Sequence, residues 1–107
     1  LPRDGEAAVA AVRESGGFAV RVPDHQILAA ITTVARGAGV FGEPAGVAGY
    51  AGLEQAAAEG RLDPAWRVAL LMTGNGLKDI ASVMEVAGEP SSVAADPAEL
   101  ERLFAGA

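Results

Sequence analysis

Val68-Ala69-Leu70-Leu71-Met72 runs straight into Thr73-Gly74-Asn75-Gly76-Leu77-Lys78-Asp79, and the reading of this junction decides the fold. The first five residues are apolar with no polar alternation, the pattern of a strand buried on both faces of a parallel sheet. The residues that follow deliver a hydroxyl, a glycine-bracketed turn, a cation and a carboxylate. A hydroxyl at the carboxyl end of such a strand stands where open α/β sheets receive their ligands. The turn itself allows two plain readings. It is either an ordinary strand-to-helix connection, with glycine supplying positive φ, or a nest of converging backbone N–H groups that would hold an anion.

Working outward, the same strand-and-helix punctuation recurs. Asp4 to Ser15 carries Val9 and Val12 among alanines and stops at Gly16-Gly17, which predicts a helix with a glycine end. Phe18, Val20 and Val22 alternate with Ala19 and Arg21 as in a strand, and Pro23 closes it. Asp24 suits a helix N-cap, and Ile27, Leu28, Ile31, Val34 and Ala35 follow at helical spacing until Gly37 to Gly39. Glu43-Pro44 opens a further helix, since proline is harmless in a first turn, and this Ala- and Gly-rich helix runs from Ala45 to about Glu59 before stopping at Gly60. Arg61 to Pro64 forms a turn, Ile80 to Val86 a short helix and Pro90-Ser91-Ser92 a loop. Asp96-Pro97-Ala98-Glu99 starts a last helix with Leu100, Leu103 and Phe104 on one side.

The expectation is therefore an α/β fold with two strands and four or five helices. Two strands make a marginal sheet, so the remaining strands are expected from further chain or from a partner. At 107 residues the chain is one domain at most, at ~100–200 residues per domain, and residues 1–107 are read as a single partial domain.

Composition narrows the function classes. Fourteen acids against eight Lys plus Arg give a net charge of −6, with no basic stripe for nucleic acid or an anionic membrane. There is no cysteine, and one histidine, His25, cannot build a metal site alone. No apolar stretch approaches the ~20 residues of a membrane span. The start Leu1-Pro2-Arg3-Asp4 has neither Met nor a signal-peptide pattern, which predicts a trimmed start and a cytoplasmic location.

Gly39-Val40-Phe41-Gly42-Glu43-Pro44-Ala45-Gly46 and the Thr73–Asp79 string together resemble the C-terminal part of threonine synthases. These are pyridoxal-phosphate enzymes related to the tryptophan synthase β chain. Relatives such as threonine dehydratase and serine racemase more usually carry Ser-Gly-Gly-Asn where this chain has Thr73-Gly74-Asn75-Gly76. The resemblance reaches across nearly all of the chain, most clearly from Gly16-Gly17 through Lys78-Asp79, but across only about the last third of a family member.

What the resemblance implies is specific. The fold would be the C-terminal part of a doubly wound, parallel-sheet domain that binds pyridoxal phosphate. Thr73 would donate its hydroxyl to the pyridine nitrogen, with Gly74 beside it. Glu43 would lie close to the ring, and Ala45 and Gly46 against its face. A neutral hydroxyl leaves the ring a moderate electron sink, which favours elimination and replacement over transamination. The activity implied is conversion of O-phospho-L-homoserine and water to L-threonine and phosphate. The partners implied are the remainder of the enzyme, a small-molecule substrate and a second copy in a homodimer. A threonine or serine dehydratase shares the Glu-Pro-Ala-Gly segment and stays open as an alternative, as does a non-catalytic module that kept the fold.

Lys78 is the sole lysine, yet in the resembled family the Schiff-base lysine lies far upstream, in a Ser-Phe-Lys-Asp type segment that this sequence lacks. No catalytic residue is therefore assigned within the chain. Lys78 and Asp79 are expected to pair locally or to cap the turn. His25 is expected exposed at a helix start, Tyr50 and Trp66 in a core or an interface, and Arg36 and Arg67 solvated.

Overall fold

A computed structural model describes residues 4–105. The expectation of a trimmed start at Leu1-Pro2-Arg3 lies outside the described residues. Among the described residues five α-helices are formed: α1 Gly5–Glu14, α2 Asp24–Ala38, α3 Pro44–Ala58, α4 Ile80–Ala87 and α5 Pro97–Ala105. A 3-10 turn, Gly76–Lys78, leads into α4.

The helices begin and end for local reasons. Pro44 occupies the first turn of α3, where its absent N–H leaves no bond unmade. α4 is capped by Asp79, whose carboxylate accepts from the Ser82 N–H at 3.2 Å and from the Ser82 hydroxyl at 2.8 Å. α5 takes its first-turn bond from the Ala98 N–H to Asp96 Oδ1 at 3.0 Å. At the far end of α2, Gly39 adopts φ +67°, a left-handed turn that a side chain would strain, and the helix stops there.

The core is formed where α2, α3 and α4 meet. Ala30, Ile31 and Val34 of α2 pack with Val47 and Ala51 of α3 and Val83 of α4. Ile31 and Val47 are the largest fully buried side chains, each worth about 1.5–3 kcal/mol of burial. Val22, Phe41 and Met72 from the connecting segments and Tyr50 from α3 pack against this cluster. α1 and α5 bury no residue.

The expected α/β architecture is not found. Among the described residues there is no strand and no sheet, and the only β-type pairing is an isolated antiparallel bridge between Gly42 and Asn75. Phe18 to Val22 and Val68 to Met72 are irregular, non-helical segments. Sequence alternation and apolarity describe a segment fit to sit in a sheet, but a strand exists only when neighbouring backbone groups complete its ladder.

Here both segments find helix α3 instead. Val22 Cγ2 lies 4.0 Å from the place a Cβ would take on Gly52, and Leu70 Cδ2 lies 3.8 Å from the corresponding place on Gly49. Burial of Val68 to Met72 on two faces is likewise overturned: Leu71 is 84% exposed, and Val68 and Leu70 are exposed as well. The Gly- and Ala-rich surface of α3 accounts for the close approach.

Candidate functional site

The two glycine-containing stretches that carry the motifs are more than 25 residues apart in sequence, and the chain brings them together. The Glu43 N–H donates to the Gly74 carbonyl at 3.1 Å, and the Gly76 N–H donates to the Phe41 carbonyl at 3.0 Å. These two bonds make the Gly42–Asn75 bridge, so residues 41–43 and 74–76 run antiparallel as a short clasp. Asn75 stiffens its half of the clasp by accepting from the Leu77 N–H at 2.9 Å through its side-chain oxygen.

Small residues make the clasp possible. A Cβ on Gly46 would stand 2.8 Å from the Gly74 carbonyl oxygen and 3.1 Å from the Gly74 nitrogen, so the first turn of α3 lies directly on the Thr73-Gly74 backbone. A Cβ on Gly74 would overlap the Glu43 carboxyl group, and one on Gly76 would strike the Phe41 ring. The Glu43 side chain therefore lies over Gly74, and Phe41 lies over Gly76.

The expected site residues fall as follows. Gly46 is buried, Glu43 and Gly74 are half-buried, and Thr73 and Ala45 are exposed. Glu43, Gly46 and Gly74 are in mutual contact through the clasp. Thr73 is joined to them through its bond to Gly74, and its hydroxyl makes no hydrogen bond among the described residues. Ala45 lines a neighbouring cleft of about 450 Å³ between α2, α3 and α4, together with Ile27, Leu28 and Ala48. The ionisable residues of that cleft are Asp24, Asp79 and Glu85, all acidic.

Lys78 does not pair with Asp79. Its ammonium lies 3.3 Å from Glu43 Oε1, across the clasp, while Asp79 is engaged at the start of α4. Sequence reasoning missed this pairing because the partners are 35 positions apart. The role of Asp79 was legible in the spacing of Asp79 and Ser82, which is the geometry of a helix cap.

The remaining polar and aromatic residues stay out of the site. His25 is exposed near the start of α2, as the sequence suggests, and Arg36 and Arg67 are also exposed. Tyr50 packs half-buried against the core, but Trp66 is solvent-exposed and no part of it. No group of three or more His, Cys, Asp or Glu is poised to hold a metal among the described residues, and no described helix is long and apolar enough to cross a membrane.

Chemically, the clasp is closed at its glycines, because Gly46 packs on the Gly74 backbone and Glu43 covers Gly74, while Thr73 stays exposed beside it. An unpartnered neutral hydroxyl stands at its edge, and a carboxylate is held under a cation. An exposed neutral hydroxyl of this kind can donate to an acceptor nitrogen at the edge of a heteroaromatic ring. The same residues offer no ring of N–H donors for a phosphate, and the sole lysine is already paired.

Comparison with known proteins gives the family. The family described as "Pyridoxal-phosphate dependent enzyme" matches residues 1–74, which take in Glu43, Ala45, Gly46, Thr73 and Gly74. The chain is 35% identical over 103 residues to the threonine synthase of Methanocaldococcus jannaschii, covering 96% of this chain and 25% of the relative. It is 42% identical over 83 residues to that of Halalkalibacterium halodurans, covering 78% of this chain and 23% of the relative. It is 40% identical over 103 residues to that of Mycobacterium bovis, covering 95% and 29%. The chain thus spans about a quarter of the length of the curated relatives it matches. With the family match extending over well more than half of its residues, this chain belongs to the pyridoxal-phosphate dependent enzymes.

Proposed function

We propose that this chain is the C-terminal part of a threonine synthase, which converts O-phospho-L-homoserine and water to L-threonine and phosphate. The observation that carries the reading is the clasp: the Glu43-Pro44-Ala45-Gly46 and Thr73-Gly74 segments, distant in sequence, are hydrogen-bonded face to face. Similarity to threonine synthases supports the choice of reaction. Residues 1–107 are then one partial domain, completed by the remainder of the enzyme, with a homodimer and a cytoplasmic location as parts of the same reading.

Within it the residues divide the work. When bound, pyridoxal phosphate supplies the electron sink for bond-making and bond-breaking at the substrate's α and β carbons. Thr73 donates a hydrogen bond to the ring nitrogen without adding charge. Gly46 and Gly74 permit the close approach that sets Thr73 beside the first turn of α3, and Glu43 and Ala45 are assigned to the wall of the cofactor site. No residue of this chain is given the role of linking the cofactor, so the chain alone is inactive and the linking lysine belongs to the rest of the enzyme.

The test is turnover by the intact enzyme. Release of phosphate from O-phospho-L-homoserine with equal formation of L-threonine is the expected result. Conversion of threonine or serine to the 2-oxo acid, with phosphohomoserine untouched, would transfer the chain to the dehydratases.

A further inference from the structure

We propose that Lys78 is a positioning residue, whose charge holds the Glu43 carboxylate over Gly74 and neutralises it beside Thr73. The proposal rests on the reading of Thr73 as the partner of the ring nitrogen.

Three observations carry it. Lys78 Nζ lies 3.3 Å from Glu43 Oε1, although the residues come from opposite sides of the clasp. The two ends of the pair differ in environment: the Glu43 side chain is 16% exposed and that of Lys78 67%. The Glu43 carboxyl occupies the place where Gly74 would carry a Cβ, and Gly74 directly follows Thr73. A mostly buried carboxylate is thus fixed on Gly74, the sequence neighbour of the residue that would meet the ring, and its counter-charge reaches in from solvent.

Such a pair contributes little to stability, because Lys78 is largely hydrated. Its effect is on the local field. A half-buried charge is poorly screened by water, and an uncompensated carboxylate close to a ring nitrogen favours a proton on that nitrogen. The ionisable residues of the neighbouring cleft offer no compensation. Asp24 at the start of α2, Asp79 ahead of α4 and Glu85 on α4 line the cleft beside Pro44 and Ala45, and all are acidic. Lys78 is the cation held against Glu43. With it in place Thr73 meets the ring as a neutral donor in a locally neutral setting. Without it, Glu43 draws a proton onto the ring and turns a moderate electron sink into a stronger one, which promotes side reactions.

The experiment uses the intact enzyme loaded with pyridoxal phosphate labelled with 15N in the ring, comparing wild type, Lys78→Met, Lys78→Arg and Thr73→Val. The 15N shift is followed against pH, with kcat and KM measured separately. Lys78→Met is expected to raise the midpoint of ring protonation by about one pH unit, tenfold in the protonation ratio, and to lower kcat more than it changes KM. Lys78→Arg should retain the wild-type midpoint. The double variant Lys78→Met with Glu43→Gln should restore it, because the charge needing compensation is gone. A Lys78→Met midpoint identical to wild type, with Thr73→Val altering the shift, overturns the role of Lys78 and leaves the proposed function standing. Insensitivity of the shift to Thr73→Val as well overturns the reading of the site itself. If Lys78→Met fails to fold, the double variant decides alone: a midpoint displaced from wild type rejects the proposal.

Discussion

Gly46→Ala tests the clasp more sharply than any change at its polar groups. In an ordinary helix this substitution would stabilise, by up to about 1 kcal/mol, because alanine is the better helix former. At Gly46 the new methyl would stand 2.8 Å from the Gly74 carbonyl oxygen, whereas ordinary contact begins near 3.4 Å. That oxygen is also the acceptor for the Glu43 N–H at 3.1 Å. A retreat of roughly 0.6 Å would carry the bond beyond useful hydrogen-bond range. Loss of that bond costs about 1 kcal/mol, and forcing a methyl against backbone costs a further ~1–3 kcal/mol. The helix-propensity gain is outweighed, and a net loss of about 1–3 kcal/mol is expected. Gly49→Ala, on the same helix, is the control, because its methyl would meet Leu70 Cδ2 at an ordinary 3.8 Å. Urea unfolding of the chain followed by far-ultraviolet circular dichroism should rank Gly49→Ala above wild type and Gly46→Ala below it. Equal or greater stability of Gly46→Ala relative to Gly49→Ala would refute the contact on which the site geometry depends.

Two further outcomes are expected. Asp79→Ala removes both bonds to Ser82 at the start of α4 and should destabilise the chain by about 0.5–2 kcal/mol, read as a lower urea midpoint. Gln55 and Arg61 donate to the Glu59 carboxylate at 2.7 Å and 3.2 Å, and these bonds hold its pKa below the usual 4.5. A lowered folded-state pKa contributes stability above the unfolded value and loses it as pH falls through the folded one. Glu59→Gln should therefore remove that contribution above pH 4.5 and flatten the acid limb, so that its stability-versus-pH curve lies below wild type at neutral pH and converges with it in acid.

The helices were legible in the sequence because their signals are local. Pro44 after Glu43, Asp79 three residues before Ser82, Asp96 before Pro97 and Gly39 after α2 each satisfy or end a backbone ladder within one turn. The two strands read from the sequence are not formed among the described residues. Val68 to Met72 has the apolarity of a doubly buried strand, yet burial and pairing depend on neighbours that no five-residue window contains. The candidate site was half readable. Residue types at Thr73, Gly74, Glu43, Ala45 and Gly46 pointed to a cofactor wall through family resemblance. That Gly46 lies on Gly74, that Phe41 covers Gly76, and that Lys78 reaches Glu43 rather than Asp79 are contacts between distant segments, and the order of residues does not encode them directly.

The central claim is that Thr73 meets the ring nitrogen through its hydroxyl, and the most direct measurement compares Thr73→Val with Thr73→Ser in the intact enzyme. Valine keeps the shape and deletes the donor, leaving a ring nitrogen unpaired at about 1–3 kcal/mol. Since each 1.4 kcal/mol is about tenfold in rate, turnover of phosphohomoserine should fall about tenfold to a hundredfold, while Thr73→Ser keeps most of it. A Thr73→Val enzyme equal to wild type in both turnover and cofactor affinity would contradict the account and reduce Thr73 to a turn residue.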